Sequence, residues 1–238
     1  MLEAAFWGLV TAGSLWVGFA IASARPGSRW IGLAMAFGSG ALIAAVAYEL
    51  VLEAFETNLA VAALGFAVGT LAFYVGDLLI DRRGGDGRKS VDGDQQLAGS
   101  ANAIVLGTVL DGIPESFVLG ASLLQEGVVP VAVVVGVFVS NVPESLSGTS
   151  GLLAAGWTRG RVFAMWSGVV AASVVAAAAG WLLLDRVATA EGAFALAFAG
   201  GALLVMLADT LMPEAFELSG REAGLATALG FALGFALS

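Results

Sequence analysis

The chain has 238 residues, of which 59% are hydrophobic and 12% charged, and its mean hydropathy is +0.93. A soluble domain carries roughly 25% charged residues, so this composition argues for a polytopic membrane protein and excludes a separate soluble catalytic domain. Cys and His are absent, which removes disulfides, thiolate and imidazole metal sites, sulfur-ligated clusters and histidine bases.

The single lysine, Lys89, lies in the most polar stretch of the chain, which argues against a buried retinal Schiff base. Chemistry is left to carboxylates, hydroxyls, amides and backbone carbonyls. The net charge is −9, from 19 acids and 10 bases. The first residues, Met1 to Trp7, lack the basic start of a signal peptide and read as the start of a first span.

A membrane-crossing helix needs about 20 mostly apolar residues. Apolar stretches fall at 4–23, 31–54, 58–80, 99–123, 128–152, 160–184, 193–214 and 222–238. The expected fold is therefore all-α, one transmembrane domain of eight helices. The one long connection, 81–98, is polar and glycine-rich. Loops one, three, five and seven hold Arg25, Arg29, Arg82, Arg83, Arg88, Lys89, Arg159, Arg161 and Arg221, whereas loops two, four and six hold only Arg186. This asymmetry predicts a cytoplasmic 81–98 loop and both termini outside, in what reads as a plasma (cytoplasmic) membrane protein.

The second and seventh stretches repeat each other. Gly40 to Glu56 reads GALIAAVAYELVLEAFE and Gly201 to Glu217 reads GALLVMLADTLMPEAFE, with nine of 17 positions identical at a spacing of 161. The next spans align as ALGFAVG, Ala63 to Gly69, with ALGFALG, Ala228 to Gly234, at a spacing of 165. Spans one and six show no evident match. Helices two and seven should run in opposite directions, so the expectation is an inverted repeat arranged 3+2+3. Repeat one covers about 1–80, the central helices about 99–152 and repeat two about 158–238. The small pairs Gly65/Gly69 and Gly230/Gly234 read as close-packing positions, within or between protomers.

The central spans carry a doublet, Asp111-Gly-Ile-Pro-Glu-Ser116 and Ser140-Asn-Val-Pro-Glu-Ser145. Asp111 and Glu115 are one turn apart on one helix face, as are Ser140 and Glu144. A charged side chain at this depth costs at least about 2.5 kcal/mol. Such groups face a protein interior or a water path. Pro114 and Pro143 remove N–H donors and free the carbonyls of Leu110 and Val139. Asp111, Glu115 and Glu144, with Ser140 and Asn141 in reach, therefore predict an oxygen-rich pocket. Three close carboxylates need protons or a cation, and a divalent cation exchanged for protons is the economical reading. Glu49 and Glu53 on one side, and Asp77, Asp209 and Glu214 on the other, are candidate entrance and exit ligands. The alternative for all these acids is structural hydrogen bonding, or plain solvation for Glu56, Glu126, Asp185, Glu191, Glu217 and Glu222.

The paired P-E motifs resemble the ZIP (Zrt/Irt-like) family of divalent metal transporters, whose fourth and fifth spans typically carry H-N-x-P-E-G and H-x-x-P-E-G. Leu211-Met-Pro-Glu-Ala215 is also similar to that family's seventh-span segments. The resemblance implies eight spans, a 3+2+3 repeat and transport of zinc, iron, manganese or cadmium. It maps the first metal position to Asp111, Glu115, Ser140 and Glu144, and the second to Gly112 and Asn141. Gly112 offers no ligand and the sixth span has no acid before Asp185, so a second metal site is not expected. The family's histidines are replaced by oxygen donors, which suits harder ions such as Mn²⁺, Mg²⁺ or Ca²⁺.

The expected partners are the bilayer and the transported cation, with no further cofactor and no nucleic acid; a homodimer stays open. Catalysis is not expected. Three alternatives stand beside the metal carrier: a non-transporting ion sensor or scaffold, an intramembrane aspartyl protease suggested by Tyr74-Val-Gly-Asp77 and Asp209, and a proton-linked carrier of an organic substrate, against which the lack of an intramembrane base for an anion counts.

Overall fold

A computed structural model describes residues 1–24, 26–85, 101–126, 131–183 and 189–238. Expectations for Arg25, for the long loop from 86 onward, and for Asp185 and Arg186 lie outside these residues. The described chain is all-helical. We label its helices α1 (Leu2–Ile21), α2 (Ser28–Thr57), α3 (Leu59–Ile80), α4 (Ala101–Glu126), α5 (Val131–Ala154), α6 (Arg159–Leu183), α7 (Ala190–Ser219) and α8 (Glu222–Leu237). Six segments among the described residues are long and apolar enough to cross a membrane, namely α1, α2, α3, α5, α6 and α7 with their flanks. α8, with 16 residues, is a shorter apolar helix.

Local chemistry sets the boundaries. The Asn58 side chain accepts a hydrogen bond from the Val61 amide and caps α3, and Thr189 does the same for Gly192 at the start of α7. Gly220 ends α7 with φ 62°, a left-handed conformation natural to glycine. α2 and α7 are each longer at both ends than the apolar pattern predicts, because the amphipathic Glu53–Thr57 and Met212–Ser219 pieces continue the helix.

Neither is a plain α-helix. α2 is π-helical over Val46–Leu52 and α7 over Leu207–Leu211.

The helices sort into two packed groups. α1 packs on α4, α5 and α6, and α4 on α6; α2 packs on α7 and α8, and α3 on α7. Contact between the groups runs mainly through α2 on α5 and α4 on α7. The sequence repeat suggests spans one to three as a unit. The packing differs: α1 leaves α2 and α3 and joins the central helices.

Glycines set the closest crossings and reveal helix directions. A Cβ at Gly65 would lie 2.4 Å from the Phe194 carbonyl oxygen, and one at Gly69 would lie 1.9 Å from that of Phe198, so α3 and α7 run parallel. On α8, a Cβ at Gly230 would lie 1.9 Å from the Phe37 oxygen and one at Gly234 would lie 2.7 Å from the Ala41 oxygen, so α8 runs parallel to α2. Gly32 meets Ala215 and Leu218 while Gly200 meets Val46 to Val51, so α2 and α7 are antiparallel.

These contacts correct the repeat register. Gly69 on Phe198 and Gly230 on Phe37 are related by 161 in both partners, as are Gly201 on Phe66 and Gly40 on Thr227. Burial agrees: Ala62, Gly65, Gly69 and Phe73 on α3 correspond at 161 to Ala223, Ala226, Gly230 and Gly234 on α8. The letter match at 165 is displaced by one helical turn, which preserves the buried face and so looks equally good in sequence.

The basic loops meet at one end of the bundle. Arg29 at the start of α2 forms a forked ion pair with Glu222 at the start of α8, with nitrogen–oxygen distances of 2.6 and 2.9 Å. Arg159 at the start of α6 donates to Ser23 Oγ and lies 4.9 Å from the Phe19 ring centre.

Candidate functional site

The two P-E-S turns lie at a common depth. α5 touches α2 where a Cβ at Gly38 would sit 2.8 Å from the Ser140 Cα. The Asn141 amide donates to the Thr11 carbonyl of α1 at 3.4 Å. On α4, a Cβ at Gly112 would lie 3.4 Å from Ser173 Oγ of α6, and the next turn of α1, at Gly8, also approaches the Ser173 backbone. α1 runs parallel to α5 (Thr11 beside Asn141, Gly18 beside Ser145) and antiparallel to α6 (Gly8 beside Ala177, Trp16 beside Phe163). α4 runs parallel to α6, with Gly112 beside Ser173 and Gly120 beside Ala177. α4 and α5 are therefore antiparallel, and their motifs stand level on the two sides of α1.

The expected acids are buried. Asp111 is 1% exposed, Glu115 2% and Glu144 5%. Both helices continue through Pro114 and Pro143. Ser140 is fully buried; its hydroxyl donates to the Val137 carbonyl at 3.0 Å, and its small side chain admits Gly38. Ser145 donates to the carbonyls of Asn141 at 2.8 Å and Val142 at 3.1 Å and packs where Gly18 lacks a Cβ. Its hydroxyl serves the backbone beside the proline.

The sequence pattern overlooks some members of these faces. Thr108 precedes Asp111 by three residues and is buried, and Ser147 follows Glu144 by three and is also buried. Thr108, Asp111 and Glu115 share one face of α4, and Ser140, Glu144 and Ser147 one face of α5. Threonine and serine carry no strong pattern signal in an apolar helix, but their i, i+3 spacing to an acid is readable.

Asp77 lies in the last turn of α3, near the expected inner end of the third span. It is 6% exposed and ends the α3 stripe that faces α7. A Cβ at its neighbour Gly76 would lie 3.4 Å from the Leu110 side chain, so the Asp77 turn lies beside the Asp111 turn. On α2, Glu49 and Glu53 lie 11 and 15 residues beyond Gly38. On α7, whose Ala215 and Leu218 face Gly32 and whose Gly200 faces Val46 to Val51, Asp209 falls near the level of Gly38 and Ser140. Glu49 is half-buried inside the α2 π segment and Glu53 half-buried just beyond it. Asp209 is exposed inside the α7 π segment, and Glu214 is half-buried beyond it.

Burial brings the acids into the core without gathering them into one cluster. Among the described residues, no three His, Cys, Asp or Glu side chains form a group that could hold a metal ion. No protein-family model matches the chain, and no curated protein matches it. The side chains themselves must carry the functional reading. What they offer is a buried level crossed by carboxylates from three helices and lined by hydroxyls. Such a level favours a cation over an anion, because no Lys or Arg among the described residues falls within it.

Proposed function

We propose that the protein is a membrane carrier for divalent cations, built as eight spans in a 3+2+3 inverted repeat. The observation that carries this reading is the antiparallel pair α4 and α5, each burying a P-E-S turn at one depth. No Lys or Arg lies in α4 or α5, and charge on carboxylates buried this deep is met most simply by protons or a mobile cation.

The cargo ion would take oxygen ligands from Asp111, Glu115 and Glu144, with hydroxyl, amide, carbonyl and water oxygens completing its shell. All-oxygen coordination favours Mn²⁺, Mg²⁺ or Ca²⁺ over zinc. Glu49 and Glu53 stand toward one end of the path, Glu214 toward the other, and Asp77 and Asp209 beside the centre. The packing supports movement between the α1/α4/α5/α6 and α2/α3/α7/α8 groups more than movement of one sequence repeat against the other.

A non-transporting ion sensor or scaffold is the second reading, motivated by the absence of histidine and of a ligand side chain at Gly112 in the second metal position. Ion flux separates the two. Purified protein in liposomes should move Mn²⁺, with Zn²⁺, Cd²⁺ and Fe²⁺ as comparison ions, and Asp111→Ala and Glu144→Ala should stop it. Metal binding without flux of any ion would decide for the sensor. Undiminished flux in both variants would remove the central site from the path.

A further inference from the structure

Among the described residues Asp81–Gly85, just after α3, is also π-helical, but the π segments of α2 and α7 are a repeated device. They begin at Val46 and Leu207, a spacing of 161, and each runs into an EAFE sequence. The letters beneath them differ, VAYELVL against LADTL, yet Val46 and Leu50 are buried as Leu207 and Leu211 are. Ala54 and Ala215 extend the two buried rows. A π turn is a rare, short irregularity that marks functional places in helices. Two at equivalent positions of the sequence repeat point to a retained mechanical role.

Their geometry suggests what that role is. Because α2 and α7 are antiparallel, Glu53–Thr57 and Met212–Ser219 lie at opposite ends of the pair. Each piece is short and ends in a turn that can absorb motion, at Asn58 in extended conformation and at Gly220 with φ 62°. A π turn holds one residue more than the α turn it replaces. If it relaxes to α, everything downstream rotates by about 100° and shifts by about 1.5 Å. The rotation would carry Glu53 or Glu214 off its present half-buried face.

We propose that the two π segments are matched hinges whose relaxation to α-helix turns Glu53 at one end, and Glu214 at the other, into and out of the path. Their role as gates rests on the carrier reading; the switch between two helical registers does not. Each hinge controls its own end, so a single fold repeated in inverted orientation supplies both gates.

The natural absence of cysteine makes the test direct. Spin labels are placed in liposomes at Glu56→Cys with Ala190→Cys for one end, and at Glu217→Cys with Gly160→Cys for the other. Each pair should give two distance populations whose ratio shifts when Mn²⁺ is added. Deleting Ala47 removes the extra residue from the first hinge, and deleting Ala208 removes it from the second. Each deletion should leave one population at its own end, keep Mn²⁺ binding, and lower flux by roughly tenfold or more. The intact chain gives a second measurement, independent of whether the deletions fold. Amides of 46–57 and 207–219 should exchange roughly tenfold or more faster than those of 28–45.

A single, Mn²⁺-independent population at both ends of the parent, or equal protection of these segments, would overturn the hinges. Full flux in a folded deletion variant would remove their gating role and leave the carrier reading standing. Two populations without flux of any ion would do the reverse.

Discussion

Gly69 of α3 lies so close to Phe198 of α7 that a Cβ on the glycine would stand 1.9 Å from the phenylalanine's carbonyl oxygen. The obstacle is backbone, which cannot turn aside as a side chain can. Gly69→Ala should therefore force the two helices apart and cost about 1–3 kcal/mol, the usual range for overpacking. Gly230→Ala, against Phe37, should cost a similar amount. Gly168→Ala, which meets nothing within 4 Å, should be neutral or slightly stabilising. Thermal unfolding in detergent measures all three, and equal melting temperatures would contradict the close crossing.

Trp166 tests the packing of α5 on α6. It is 2% exposed, and its indole Nε1 donates to Thr149 Oγ1 at 2.9 Å. Trp166→Ala should destabilise by about 3–5 kcal/mol through the cavity it leaves. Thr149→Val keeps the volume but strands a buried N–H, at a cost of about 1–3 kcal/mol. The double variant should cost less than the sum, because one bond cannot be lost twice. Strict additivity would mean that the bond contributes nothing.

The Arg29–Glu222 pair should matter little to stability despite its forked geometry. Its side chains are 65% and 48% exposed, so water and salt screen the attraction. Glu222→Gln is expected to leave the melting temperature within experimental scatter at physiological salt. A large fall that high salt did not erase would show that the pair fastens α2 to α8.

How much of this was readable in the sequence depended on the kind of residue involved. The α2/α7 relation was legible because the glutamates of EAFE are costly in an apolar helix, so their shared spacing is not expected by chance. The α3/α8 register was misread by one turn, since Ala, Leu and Gly at four-residue spacing look alike after a slip. Only the carbonyls opposite Gly69 and Gly230 fix the register. Sequence comparison shows no match between α1 and α6; the packing sets α1 along α5 and α6 along α4. Asp111, Glu115 and Glu144 were legible as buried acids because few residues are costlier in a membrane. Asp77 was legible as an acid near the inner end of α3, but apolar length could not show that it is buried. The π segments leave no signal in hydrophobic periodicity that a five- to seven-residue window can resolve.

The central acids should trade stability for binding. Asp111 and Glu144 are 1% and 5% exposed in an apolar bundle, where an ionised carboxylate without a cation is costly. Asp111→Asn and Glu144→Gln keep shape and hydrogen-bonding capacity while removing the charge. Without metal, each variant should melt at or above the parent temperature. Adding Mn²⁺ should raise the parent's melting temperature by linkage, a gain of about 2.7 kcal/mol when the free ion is 100 times its dissociation constant. The variants should lose most of that gain, whereas Glu3→Gln, at the exposed start of α1, should keep it. Removing Mn²⁺ with a chelator should return the parent to its metal-free temperature. Mn²⁺ stabilisation that survived both central substitutions would move the ion away from the α4–α5 pair, and stabilisation by Zn²⁺ alone would contradict an oxygen-only site that favours harder ions.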